Sequence, residues 1–175
     1  MIKAHLKGPW ADAVHDFSAF AKRLERVTTQ AISQEAHEWA KEIRQGIRRQ
    51  SSASEAQPPW APLAESTKAA KGSTKILIDT GTLVRSIKAE KVGRGKWHVG
   101  VKRGARTRDG KDLVNIAHVH EFGSVRQTKT GVVVEIPKRQ FIAPVLRKKS
   151  KNIDKRLWEK IDEKMSKYLR HKNRV

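Results

Sequence analysis

Apolar residues recur at Phe17, Phe20, Leu24, Val27, Ala31, Ala36, Trp39, Ile43 and Ile47, nearly all three or four positions apart. This period predicts one long amphipathic helix over residues 17–49. Between them lie Lys22, Arg23, Glu25, Arg26, Glu35, Glu38, Lys41, Glu42 and Arg44, a solvated face. The polar run after Gln50 and the proline-rich stretch at residues 57–62 end the pattern, so residues 50–72 are expected to be a loop. From residue 73 to 145 the period shortens. Ile76-Leu77-Ile78, residues 87–92, the alternating Trp97, Val99 and Val101, and residues 132–136 before Pro137 read as strands of a small, mostly antiparallel sheet. Gly93-Arg94-Gly95 supplies a hairpin turn. Two short helices interrupt the strands: residues 80–86, capped by Thr80 or Thr82, and residues 114–122, closed by Gly123. Residues 102–112 are polar, basic and glycine-containing, an exposed loop. Leu146, Ile153, Leu157, Ile161, Met165 and Leu169 form a last helical stripe over residues 146–172. The expected fold is α+β in a single domain: a long helix, a small sheet with inserted helices, and a closing helix.

Composition narrows the chemistry. With 175 residues, one core suffices. No apolar run approaches the roughly 20 residues of a membrane span, and residues 1–7 lack the apolar stretch of a secretory signal, so synthesis in the cytoplasm and no membrane partner are expected. Zero cysteines exclude disulfides, thiolate metal sites and cysteine nucleophiles. The net charge of +20 calls for an acidic partner, nucleic acid or protein. Twelve Lys/Arg against four Asp/Glu follow residue 146, while the remaining surplus is spread widely. No recognition helix or base-stacking platform accompanies it: Trp60, Trp97 and Trp158 are far apart and read as core or interface anchors.

Candidate catalytic groups are few. His118, His120 and Glu121 offer metal-ligand chemistry, but on a helix the two imidazoles point about 200° apart, and the pair reads better as structural or interfacial. Thr80, Thr82 and Ser86 lie close together without a nucleophile elbow or a Ser-x-x-Lys pair, so capping is the preferred role. Gly93-Arg94-Gly95-Lys96 lacks phosphate-loop spacing. Arg103, Arg106 and Arg108 in the basic loop suit either phosphates or an acidic protein neighbour.

Five segments in order then carry a resemblance: Trp60-Ala61-Pro62-Leu63 with Thr67 and Lys68; Leu77-Ile78-Asp79-Thr80-Gly81-Thr82-Leu83-Val84-Arg85-Ser86-Ile87; Val99-Gly100-Val101; Ala117-His118-Val119-His120-Glu121-Phe122-Gly123; and Ile136-Pro137-Lys138-Arg139-Gln140-Phe141-Ile142. Together they resemble the phage virion-morphogenesis family, the tail-completion or head-tail joining proteins of tailed and Mu-like phages. The likeness covers residues 60–144, with one departure, the long basic insertion between Val101 and Leu113. The resemblance implies a non-enzymatic structural subunit without cofactor, forming a ring, most simply a hexamer, at the neck or tail end of the virion. Its implied partners are the tail tube protein, the head-tail connector proteins and, non-specifically, packaged DNA. Candidate interface residues are then Trp60, Leu83, His120, Glu121, Phe122, Arg139 and Phe141, with Arg103, Arg106 and Arg108 of the loop. A basic nucleic-acid-binding module is the alternative, and a hydrolase using His118, His120 and Glu121 the least favoured. Residue by residue, Glu121-Phe122-Gly123 is expected to end a helix with a buried aromatic, and Arg139 and Phe141 to give an ionic and an aromatic anchor.

Overall fold

The computed structural model describes residues 9–51, 60–128 and 131–172. Residues 1–7 and 52–59, which include part of the expected loop, lie outside them. The chain divides into two compact units: residues 1–34 with 154–175, and residues 35–153.

The first unit pairs two helices. Helix α1 runs Pro9–Arg48 and contributes its first part here. It starts eight residues before the predicted first turn, because proline fits a helix start and Asp12 favours the positive end of the helix dipole. The other helix closes the chain. The predicted C-terminal helix is in fact two, α5 (Ala143–Ser150) and α6 (Ile153–Lys172), parted at Lys151 and at Asn152, whose φ is +55°. Asparagine tolerates this left-handed conformation better than most side chains, and there it ends the helical run. Val27 and Ala31 of α1 pack with Ile161 and Met165 of α6, flanked by Leu157 and Tyr168. Arg23 lies over the Tyr168 ring, 4.9 Å from its centroid. Leu169, part of the predicted stripe, is exposed, and so is Trp158, which anchors no core here.

The second unit holds the larger core, built on Ile43 and Ile47 of α1 with Trp60, Leu83, Ile87, Leu113, Phe141 and Val145 among its members. Within residues 60–72, expected to be loop, Glu65–Lys71 forms a short helix, α2, ended by Gly72 in the left-handed conformation. It buries no residue, so it leaves no hydrophobic period to detect. Ile76-Leu77-Ile78 is a turn and not a strand. Leu77 takes φ +59° and enters the core, while the Gln50 side chain acts as a surrogate strand: its amide donates to the Ile47 and Ile76 carbonyls and its oxygen accepts from the Ile76 N–H.

Helix α3 (Thr82–Ser86) follows Gly81, whose φ of +74° makes the turn. Neither Thr80 nor Thr82 caps it; their hydroxyls bond one another at 2.7 Å. Strands β1 (Ile87–Gly93) and β2 (Lys96–Val101) pair antiparallel through the Gly93-Arg94-Gly95 turn. Helix α4 (Leu113–Phe122) is capped by Asp112, which accepts from the Val114 and Asn115 amides. Strands β3 (Ser124–Gln127) and β4 (Val133–Ile136) form a second ribbon. The fold class is α+β as expected, with two separate two-stranded ribbons in place of one sheet. β3 escaped detection because Ser-Val-Arg-Gln offers a single apolar residue, itself exposed.

Residues 102–112 are exposed for the most part but tied to themselves. Thr107 and Lys111 are joined backbone to backbone, the Leu113 amide donates to Ala105, and the Arg106 guanidinium donates to Gly110. Half-buried Ala105 packs on the core and fixes the loop at its centre.

Candidate assembly interface and the junction behind it

Helix α4 delivers Glu121 inward and Phe122 outward, against the expectation of a buried aromatic. Glu121 is 5% exposed and Phe122 62%. The carboxylate is buried because it caps helix α5: it accepts from the amides of Phe141 at 2.9 Å, Ile142 at 3.1 Å and Ala143 at 2.8 Å. These donors at a helix start have no carbonyl partner in the helix, and Pro144 next in line has no N–H to offer. A negative charge at that end also meets the favourable pole of the helix dipole. With both oxygens committed, Glu121 is a structural clamp.

Arg139 closes the other side. It is 4% exposed, and its guanidinium donates to the carbonyls of Ala61 and Pro62, both at 3.0 Å. The expected ionic anchor is thus a pair of charge-assisted bonds to backbone. Its own amide donates to His120 at 2.7 Å, and Trp60 donates from its indole to Gln140 at 3.0 Å. Phe141, 2% exposed, fills the core beneath. Five of the predicted residues, Trp60, His120, Glu121, Arg139 and Phe141, therefore meet in one junction that ties segments about 80 residues apart. Gly123, at φ +79°, leads out of it, and a Cβ there would lie 3.3 Å from the Ile136 carbonyl oxygen.

His120 also borders a cavity of about 220 Å³ that Leu83 helps to line. Burial, with the positive charges of Arg139 and Lys71, lowers its pKa to about 4, and its Nδ1 has no hydrogen-bond partner among the described residues. Lys71 and Asp79 face the same cavity. Burial pushes the Lys71 ammonium down, against the opposing charge of Asp79. Lys71 was not singled out from sequence because it sits on the helix that left no pattern, and Asp79 was read only as part of the turn that leads into the next helix. His118 is exposed on the other side of α4, its ring 4.7 Å from that of Phe122. Among the described residues no group of three His, Asp or Glu could hold a metal ion.

The remaining candidates lie apart from the junction. Arg103, Arg106 and Arg108 are exposed on the basic loop. Phe122 borders a second cavity of about 310 Å³, open and largely apolar, between β2, α4 and the start of α5.

The profile of the Phage virion morphogenesis family matches residues 13–169. The chain belongs to the phage virion morphogenesis family. That match takes in both flanking helices as well as the motif region. Comparison with curated proteins and with solved structures gives no match. Three of the five motif segments, at residues 60–63, 117–123 and 136–142, meet in the junction, and beside it this member of the phage virion morphogenesis family presents the exposed Phe122 and the second cavity, with the arginine loop also exposed. It is a phage virion assembly protein.

Proposed function

We propose that the chain is a tail-completion or head-tail joining subunit, acting without catalysis or cofactor as part of a ring, most simply a hexamer, at the junction of tail tube and connector. The observation that carries this reading is the family match over residues 13–169. The junction supports it: Glu121, Arg139 and Trp60 hold a rigid scaffold from which Phe122 and the basic loop project toward neighbours. The tail tube protein and the connector proteins are the proposed partners, with packaged DNA touched only through non-specific phosphate contacts, and the neck or tail end is the proposed place in the virion.

The test is deletion of the gene in its phage or prophage, with negative-stain electron microscopy of the lysate. Full heads beside unattached tails are expected for a joining role, and tails of uncontrolled length for a terminator. Normal virions would overturn the proposal and bring forward the second reading, a nucleic-acid-binding module, which the charge of +20 favours.

A further inference from the structure

The apolar stripe of α1 does not stop where α6 stops covering it. Phe17, Phe20, Leu24, Val27 and Ala31 fall within about 80° on the helix. Val27 and Ala31 are fully buried, yet Phe17 is 73%, Phe20 41% and Leu24 36% exposed. Helix α6 ends at Lys172, four residues or about 6 Å beyond the Tyr168 ring that meets Arg23, whereas α1 runs about 21 Å ahead of Arg23. Two aromatic rings on one helix face, open to water, form the kind of continuous patch that marks a binding surface.

The chain also carries a surface of matching chemistry. The cavity of about 310 Å³ is open and apolar, lined by Val99, Val114, Phe122 and Leu146. It lies at the small end of the roughly 300–1,000 Å³ of ligand sites, a size for a few side chains of a docked helix. Charge selects the occupant. In a chain of +20, residues 9–21 hold Asp12 and Asp16 and no Lys or Arg. Next in sequence to the lining residues Leu146 and Val101 come the exposed Arg147 and Lys102, the latter 4.0 Å from Glu90, and the one lining carboxylate, Glu121, is consumed by three amides. An acidic, apolar helix tip and an apolar groove beside basic residues are complementary within one sequence.

We infer that the first turns of α1, through Phe17 and Phe20, dock into the β2–α4 groove of a second copy of this chain. Such a contact is head-to-tail, using different surfaces on the two copies, and it closes into a ring when the rotation permits. The inference rests on the ring reading above and specifies its interface.

Because the chain has no cysteine, single-cysteine variants report the contact directly. Phe20→Cys with one tag is mixed under mild oxidation with Val114→Cys carrying another, and with Val125→Cys, exposed on the β3–β4 ribbon, as control. The expected result is a mixed disulfide with Val114→Cys at least several-fold above the control. Equal yields, or none, overturn the inference, as does a Phe20→Cys/Val114→Cys chain that closes only on itself. Phe17→Asp/Phe20→Asp should sediment as a monomer where the parent associates, with an unchanged melting temperature, since both rings are exposed. Association that survives this change overturns the inference as well. Failure of the two proposals is separable: virions assembled normally without the gene, with the crosslink intact, remove the neck role alone. Rescue of the deletion by Phe17→Asp/Phe20→Asp removes this interface alone.

Discussion

At the residue scale, Glu121 and His120 adjoin on one helix but are held differently, the carboxylate by three amide donors and the imidazole by burial. Glu121 receives three amide donors, and a neutral glutamine would keep one acceptor while turning an NH2 group on a backbone N–H. Bonds to a charged acceptor are worth about 1.5–3 kcal/mol, so Glu121→Gln should cost about 2–3 kcal/mol and lower the melting temperature by roughly 5–10 °C. A loss under 1 °C in a thermal scan would mean the clamp contributes little. His120 gives a pH effect. Its pKa falls from 6.5 to about 4 on folding, through burial first and then the charges of Arg139 and Lys71. The unfolded chain therefore takes up this proton first on acidification. The stability linked to His120 is complete above about pH 6.5 and is lost as pH falls toward 4. Allowing for solvent access, it amounts to about 1–2 kcal/mol. Urea unfolding of parent and His120→Gln at pH 7 and pH 4.5 should show a smaller acid loss in the variant; equal losses would place the acid sensitivity elsewhere.

At the element scale, Gly123 joins α4 to β3 at φ +79° and ψ 168°, a region nearly closed to other residues, with the Ile136 carbonyl close by. Gly123→Ala should cost about 1–3 kcal/mol and loosen the β3–β4 ribbon, read as a larger gain in amide exchange at Arg126, paired with Val134, than at hydrogen-bonded amides elsewhere in the protein. Uniform exchange would argue against a local hinge. How legible each element was follows from what it buries. The long helix, the β1–β2 hairpin and α4 bury a face and so show a period. Helix α2 buries nothing, and β3 has one apolar residue; neither could be seen. The turn at Leu77 misled because a buried apolar triplet looks the same whether its backbone pairs with a strand or with the Gln50 amide. In the junction, the residue types were legible and their directions were not. The buried aromatic was misplaced because Phe122 stands about 180° around α4 from Leu113, whereas Glu121 continues the buried row of Leu113 and Ala117 and meets the unpaired donors at the start of α5.

At the scale of the whole molecule the question is what a charge of +20 faces. Arg103, Arg106 and Arg108 stand on a loop closed by its own backbone bonds, with Arg106 already donating to Gly110 and no aromatic side chain in the loop to stack on bases. This is a fixed set of charges suited to a folded acidic surface more than to a flexible strand. Arg103→Ala/Arg106→Ala/Arg108→Ala removes exposed groups, so the melting temperature should stay within about 2 °C of the parent. If the loop meets a neighbouring protein, head-tail joining should fall in a complementation assay. The salt dependence of DNA binding should then change by less than one phosphate's contribution, about 0.9 in the slope of log K against log salt. A slope reduced by two units or more, with joining intact, would instead put the loop against DNA. The two readouts move independently because phosphate contacts are counted by counterion release, whereas docking on a folded partner is decided by the geometry of a few fixed charges.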